Sequence, residues 1–138
     1  MRREKVSDGR CLCGKVRYRV SERPRISAIC HCVSCRRASG AQSVAWLTFA
    51  IEGFSFVTGD PARHRSSAKV SRTFCGQCGT TLTYQHDDEL DFIDVTAASL
   101  DDPEEFPPTH HVWMEDAISW DTANDGLPRS DRPGAPMR

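Results

Sequence analysis

The sequence predicts a mainly β domain. Three observations carry this reading. Strand-forming runs of roughly six residues recur along the chain. Clusters of Gly, Pro, Asp and Asn separate them. No long stretch shows the apolar period of a helix.

The elements follow in chain order. Lys15 to Val20 alternates, with Val16, Tyr18 and Val20 on one side and Lys15, Arg17 and Arg19 on the other, so it reads as a half-buried strand. Ser43 to Ala50 is apolar on both faces and reads as a strand covered on both sides. Phe54 to Val57 continues as a strand, and Thr58-Gly59-Asp60-Pro61 is a turn by composition. Val70 to Phe74 and Thr81 to Gln85 form two strands around Cys75-Gly76-Gln77-Cys78-Gly79. Phe92 to Thr96 is a further strand, and His111 to Met114 another. One helical turn is expected within Ala97 to Glu105, with Ser99 as a cap and Pro103 early in the turn. Residues 1–8 are expected to be a flexible N-terminus, 9–128 a single domain, and 129–138 a disordered tail.

Composition narrows the function. The 138 residues carry 18 basic and 19 acidic side chains, a net charge of −1, which argues against a protein that grips nucleic acid by bulk positive charge. Val44 to Ile51, the longest mostly apolar stretch, is too short to cross a bilayer. Met1 to Arg10 is polar and charged, without the apolar run of a secretory signal. The expectation is a cytoplasmic protein with free thiols. There, clustered cysteines point to metal or redox chemistry rather than to disulfides.

Seven cysteines, an odd number, fall into three groups. Cys11 and Cys13 precede the first strand, Cys30, Cys32 and Cys35 follow it, and Cys75 and Cys78 sit between two later strands. Cys75 and Cys78 have the spacing of a zinc knuckle, in which turn amides face both sulfurs and Gly79 lets the backbone reverse. One knuckle supplies two ligands, so a closed tetrahedral site needs two more. Joining it to Cys11 and Cys13 closes a four-thiolate site and leaves Cys30, Cys32 and Cys35 as a group of three with a free fourth position. The competing partition joins Cys32 and Cys35 to the knuckle as a zinc ribbon, across a longer stretch than ribbons use, and strands the other three cysteines. His31 lies between two cysteines, with its ring turned from the metal for a supporting or packing role. Adjacent His110 and His111 are poorly placed to share one metal, and His64 and His86 read as solvated.

Cys-x-Cys-Gly at Cys11–Gly14, Cys-His-Cys-x-x-Cys-Arg at Cys30–Arg36 and Phe-Cys-x-x-Cys-Gly at Phe74–Gly79 together resemble the glutathione-dependent formaldehyde-activating enzyme family, also described as the centromere-protein-V/GFA domain. Ala38-Ser39-Gly40, His111-Val112-Trp113, Trp120 and Gly126-Leu127-Pro128 agree, so the resemblance runs from about Gly9 to Pro128. It implies a β-tent fold of short strands in small antiparallel sheets, with two zinc ions per chain. By motif position, Cys11, Cys13, Cys75 and Cys78 would hold a structural zinc, and Cys30, Cys32 and Cys35 a catalytic one. It also implies a carbon–sulfur lyase that condenses glutathione with formaldehyde to S-(hydroxymethyl)glutathione.

The chemistry of three thiolates fits that expectation. They leave a zinc shell at a formal −1, a weaker Lewis acid than a three-histidine zinc and better suited to a soft sulfur ligand than to hydroxide. A substrate thiol would bind there and attack a small electrophile. Arg36, with Arg37 beside it, would offset the added charge or grip a substrate carboxylate. Substrate contacts are therefore expected at Arg36 and His31. The alternative is a non-enzymatic, zinc-stabilised protein-interaction module with both metals structural.

Overall fold

The computed structural model describes residues 6–121 and 124–133. Among them are ten strands and one α-helix: β1 (Ser7–Arg10), β2 (Arg17–Val20), β3 (Ile26–Cys30), α1 (Val33–Ser39), β4 (Val44–Ala50), β5 (Phe54–Thr58), β6 (Ala62–Ser67), β7 (Val70–Phe74), β8 (Thr81–His86), β9 (Phe92–Thr96) and β10 (His110–Val112). They form a three-stranded sheet in the order β1-β2-β5 and a seven-stranded sheet in the order β10-β3-β4-β9-β8-β7-β6. Every pair is antiparallel except β10 with β3.

The alternation in β2 does what its pattern requires. Val16, Tyr18 and Val20 are buried, while Arg17 and Arg19 face solvent. They pack with Leu47, Phe49, Leu82, Ile93 and Val95 of the larger sheet into the main core. Strand β4 is covered on both faces, as expected, but the two covers differ. Leu47 and Phe49 enter the main core, whereas Val44 and Trp46 join a second cluster with Cys30 and Cys35. Cross-strand register aligns that second face: Cys30 lies beside Val44, Ala28 beside Trp46, and Thr48 beside Asp94, which in turn lies beside Tyr84. Residues opposite one another share a face. One side of the large sheet is therefore core, and the other is a wall carrying cysteines, aromatic rings and a carboxylate.

Several elements depart from the sequence expectation. The only α-helix among the described residues is α1, which begins inside the Cys30–Arg36 motif. Seven residues are too few to show a helical period. Its ends are fixed instead by Cys32, whose Sγ accepts from the Cys35 amide at 3.3 Å, and by Gly40 at φ 71°, whose N–H reaches the Arg36 carbonyl. The single turn expected in Ala97–Glu105 is two 3-10 turns, Ala97–Ser99 and Pro103–Glu105. Ser99 ends the first and bonds back to the Thr96 carbonyl, so it caps neither. Strands β1, β3 and β6 were not legible. Polar, exposed β6 is an edge strand carrying Arg63 and Arg65, which discourages edge-to-edge pairing. Ser7 and Asp8, assigned above to a flexible N-terminus, pair with Val20 and Arg19. At the other end, Arg129 bridges to His111, and the Ser130 amide donates to the His111 carbonyl. That part of the expected tail is ordered against β10. Residues 134–138 lie outside the described residues.

Candidate metal centre and cavity

The cysteines gather into two groups: Cys11, Cys13, Cys75 and Cys78, and separately Cys30, Cys32 and Cys35. Within each group the sulfurs lie within 4.8 Å of one another. This is the four-plus-three partition; the ribbon partition is not formed.

The four-cysteine group ties the loop between β1 and β2 to the β7–β8 turn, with Cys13 and Cys75 62 positions apart. Backbone amides aim at its sulfurs: Val16 at Cys11, and Gln77 and Cys78 at Cys75. Gly79 takes φ 83° to close the turn. A tetrahedral zinc with bonds of about 2.3 Å separates its sulfurs by about 3.8 Å. The Cys11–Cys13 and Cys13–Cys75 sulfurs are 3.6 and 3.8 Å apart, so the donor set fits a tetrahedral ion closely. Hydrogen bonds from Thr80 pull the Cys78 thiol down to about 5, toward the thiolate that a metal requires.

The three-cysteine group is built where β3 ends and α1 begins. Cys30 closes the strand, Cys32 caps the helix and Cys35 sits in its first turn. Crowding divides the protons unequally. Cys30 and Cys35 hydrogen-bond to the Cys32 sulfur and pull it down to about 2, while Cys32 and Cys35 push Cys30 far above an ordinary thiol. Three such thiols ionise together only beside a cation.

One cation is already there. Arg72, 5% exposed, donates through Nη2 toward Cys35 Sγ at 3.9 Å and lies over the Tyr84 ring at 5.0 Å. Its Nε donates to Ser66 Oγ, and its Nη1 has no partner. A buried guanidinium without a carboxylate needs negative charge nearby; the thiolates supply it. Arg72 is thus a buried guanidinium in contact with the cluster. Arg36 and Arg37 occupy the last turn of α1, with Arg37 exposed and Arg36 Nε buried without a partner, and neither lines the cavity described below. A substrate contact at Arg36 therefore has no support from the cavity lining.

His31 does not reach the cavity either. It is 2% exposed and packs against the His111 ring at a tilt, with Nε2 2.9 Å from His111 Nδ1. His111 Nε2 is 2.7 Å from Asp125 Oδ2, and Asp121 Oδ2 lies 3.5 Å from His31 Nδ1. Burial lowers the His31 pKa. These contacts tie Asp121 and Asp125 to the loop carrying the three cysteines, and His31 is buried among them.

A cavity of about 310 Å³ opens over the three cysteines. Its walls include Trp46 and Thr48 of β4, Tyr84 of β8, Phe92 and Asp94 of β9, and Trp113. Trp113 holds a left-handed backbone at φ 59°, a conformation that costs a bulky residue energy and concentrates at functional sites. Burial raises Asp94 to about 6, against the hydrogen bond that its Oδ1 accepts from Thr48 Oγ1 at 2.5 Å. His86, expected to be merely solvated, is partly buried and lines the same cavity, whereas His64 is exposed as expected.

Sequence reasoning missed Arg72 and Asp94. Arg72 carried a faint signal: it shares a strand face with Val70 and Phe74, where an apolar side chain would be ordinary.

A search of curated proteins returns no match. Among solved structures, the crystal structure of a Rhodobacter sphaeroides protein from a structural genomics effort is similar at a TM-score of 0.59, with 23% identity over 74% of this chain and 99% of that one. That likeness concerns the fold. The sequence model of the glutathione-dependent formaldehyde-activating enzymes matches residues 6–116, a span holding all seven cysteines, and the chain belongs to that family.

Proposed function

We propose that the chain is a zinc-dependent carbon–sulfur lyase that joins a thiol, such as the glutathione of the family description, to formaldehyde or a related small electrophile. Cys30, Cys32 and Cys35 form the catalytic centre, and Cys11, Cys13, Cys75 and Cys78 the structural one. The observation that carries this reading is the difference between the clusters: four sulfurs complete a tetrahedron by themselves, whereas three lie at a cavity and leave a position for a fourth. A zinc held by the three cysteines would supply a soft ligand position that favours the thiolate form of a bound thiol.

The remaining work falls to the chain. Arg72 neutralises the excess charge of three thiolates, so that a further sulfur meets a less anionic centre. Trp46, Tyr84 and Trp113 exclude water from the sulfur end of the cavity. The His31–His111–Asp125 chain holds the cysteine loop against β10. The reaction adds S–H across the aldehyde C=O. A sulfur–carbon bond forms, the carbonyl π pair moves to oxygen, and the sulfur proton ends on that oxygen, with no change in net oxidation state. All seven cysteines are free, which suits the reducing cytoplasm where we place the protein.

The test is consumption of formaldehyde in the presence of a thiol by the zinc-loaded chain and by Cys32→Ser. Acceleration over the spontaneous reaction, lost in the variant, is expected. Equal rates with and without wild-type protein would refute the proposal.

A further inference from the structure

The acidic residues of the cavity bear on which thiol enters. Asp94 and Glu89 both line the cavity, and no lysine or arginine does so among the described residues. Three arginines stand behind the aromatic walls, each engaged elsewhere. Arg72 is turned to Cys35 and Ser66. Arg25 lies over Phe92 and 3.8 Å from Glu22, and Arg132 over Trp113 and 3.3 Å from Glu115. Besides the cysteines, the other ionisable groups in the lining are His86, His110 and Tyr84, whose phenol is pushed up to about 12 by burial and so stays uncharged. His86 Nδ1 accepts from the Asp88 amide, and His110 Nδ1 lies 2.9 Å from the Thr109 hydroxyl.

Charge bookkeeping follows from these pairings. A divalent ion with three thiolates carries −1, and Arg72 returns it to zero. Glu22 offsets Arg25, and Glu115 offsets Arg132. Asp94 and Glu89 remain: Asp94 is buried, where charge is poorly screened, and Glu89 stands at the exposed rim. An arriving thiolate adds a further negative charge. A ligand with a second negative charge is repelled, and one with a positive charge is drawn in.

We propose that the thiol substrate is an aminothiol, with its sulfur at Cys30, Cys32 and Cys35 and its ammonium group toward Asp94 and Glu89. This rests on the thiol reading given above and refines it. Glutathione, with two carboxylates, would be a poorer ligand than a thiol bearing an amine alone.

The test uses the zinc-loaded full chain and isothermal titration with a matched pair of probes, 6-amino-1-hexanethiol and 6-mercaptohexanoate, alongside glutathione. The aminothiol is expected to bind at least about tenfold tighter than the carboxylate thiol, a difference of about 1.4 kcal/mol. In the Asp94→Asn/Glu89→Gln double variant with zinc content unchanged, the ratio is expected to fall to about twofold or less. Glu89 is exposed, so Glu89→Gln alone keeps the test open should the double variant fail to fold, with a partial loss of preference expected. Equal or tighter binding of 6-mercaptohexanoate overturns the aminothiol assignment, as does a preference that survives the substitutions. Binding of all three thiols without charge preference refutes this inference alone. Failure of every thiol to bind refutes the thiol reading beneath it.

Discussion

Replacing one cysteine in each cluster by serine separates their roles. Cys75 is 1% exposed, its sulfur accepts from the amides of Gln77 and Cys78, and it lies 3.8 Å from the Cys13 sulfur. Serine there opens the tetrahedron that joins the β7–β8 turn to the loop before β2. Structural zinc contributes apparent folding free energy of about 10 kcal/mol or more in small modules. The whole stability of an ordinary domain is about 5–15 kcal/mol. Loss of most of that contribution therefore leaves Cys75→Ser unfolded or insoluble. Cys32→Ser is different. Cys32 caps α1 through its sulfur, and serine is a preferred residue at that position, so the cap is kept at a cost of less than about 1 kcal/mol. The cluster it breaks lies at a cavity rather than closing one sheet onto another. Cys32→Ser is expected to melt cooperatively, within a few degrees of wild type, while holding one zinc instead of two. Circular dichroism melting and elemental analysis read both quantities. If Cys32→Ser is as insoluble as Cys75→Ser, the division into structural and catalytic centres is wrong.

Three further outcomes are expected. Arg72→Met keeps much of the side-chain volume but removes the charge beside Cys35; zinc affinity at the three-cysteine cluster should drop about 10–100-fold in chelator competition, with the four-cysteine site unchanged. Gly9→Ala places a Cβ about 2.2 Å from the Tyr18 ring and should lower stability by about 1–3 kcal/mol, read from the urea midpoint. Asp94 has a folded pKa of about 6, above an unfolded value of about 3.9, so the native state retains the proton between them and stability falls as pH rises from about 4 through about 6. Asp94→Asn keeps an acceptor for Thr48 and should flatten that part of the pH profile, becoming the more stable protein by about 1–2 kcal/mol at pH 7, after allowance for solvent screening. A wild-type profile that the substitution leaves unchanged would contradict the assignment of that slope to Asp94.

Most strands were legible because their side chains alternate against a core. Val70–Phe74 and Phe92–Thr96 match the expected bounds, since β-branched and aromatic runs end there at turn residues. Strand β3 was not read because Ile26-Ser27-Ala28-Ile29-Cys30 mixes small and apolar residues. Its burial depends on β4 and β10 on either side. Helix α1 was not read because its capping comes from a cysteine that the sequence marks for metal. The cysteine groups were fully legible, since spacing along the chain survives folding. Arg72 and Asp94 were not, because their place at the site depends on a seven-strand register that brings β7, β8, β9 and β4 together. Adjacency along the chain pointed to Arg36, whereas the guanidinium in contact with Cys35 is that of Arg72, brought there by the sheet.

The central claim is that the three-cysteine cluster receives a sulfur from substrate. X-ray absorption at the zinc edge counts sulfurs directly. With both clusters loaded, four and three cysteines average three and a half sulfurs per zinc, and a bound thiol should raise that average to four. An average that stays unchanged in saturating thiol would contradict the account.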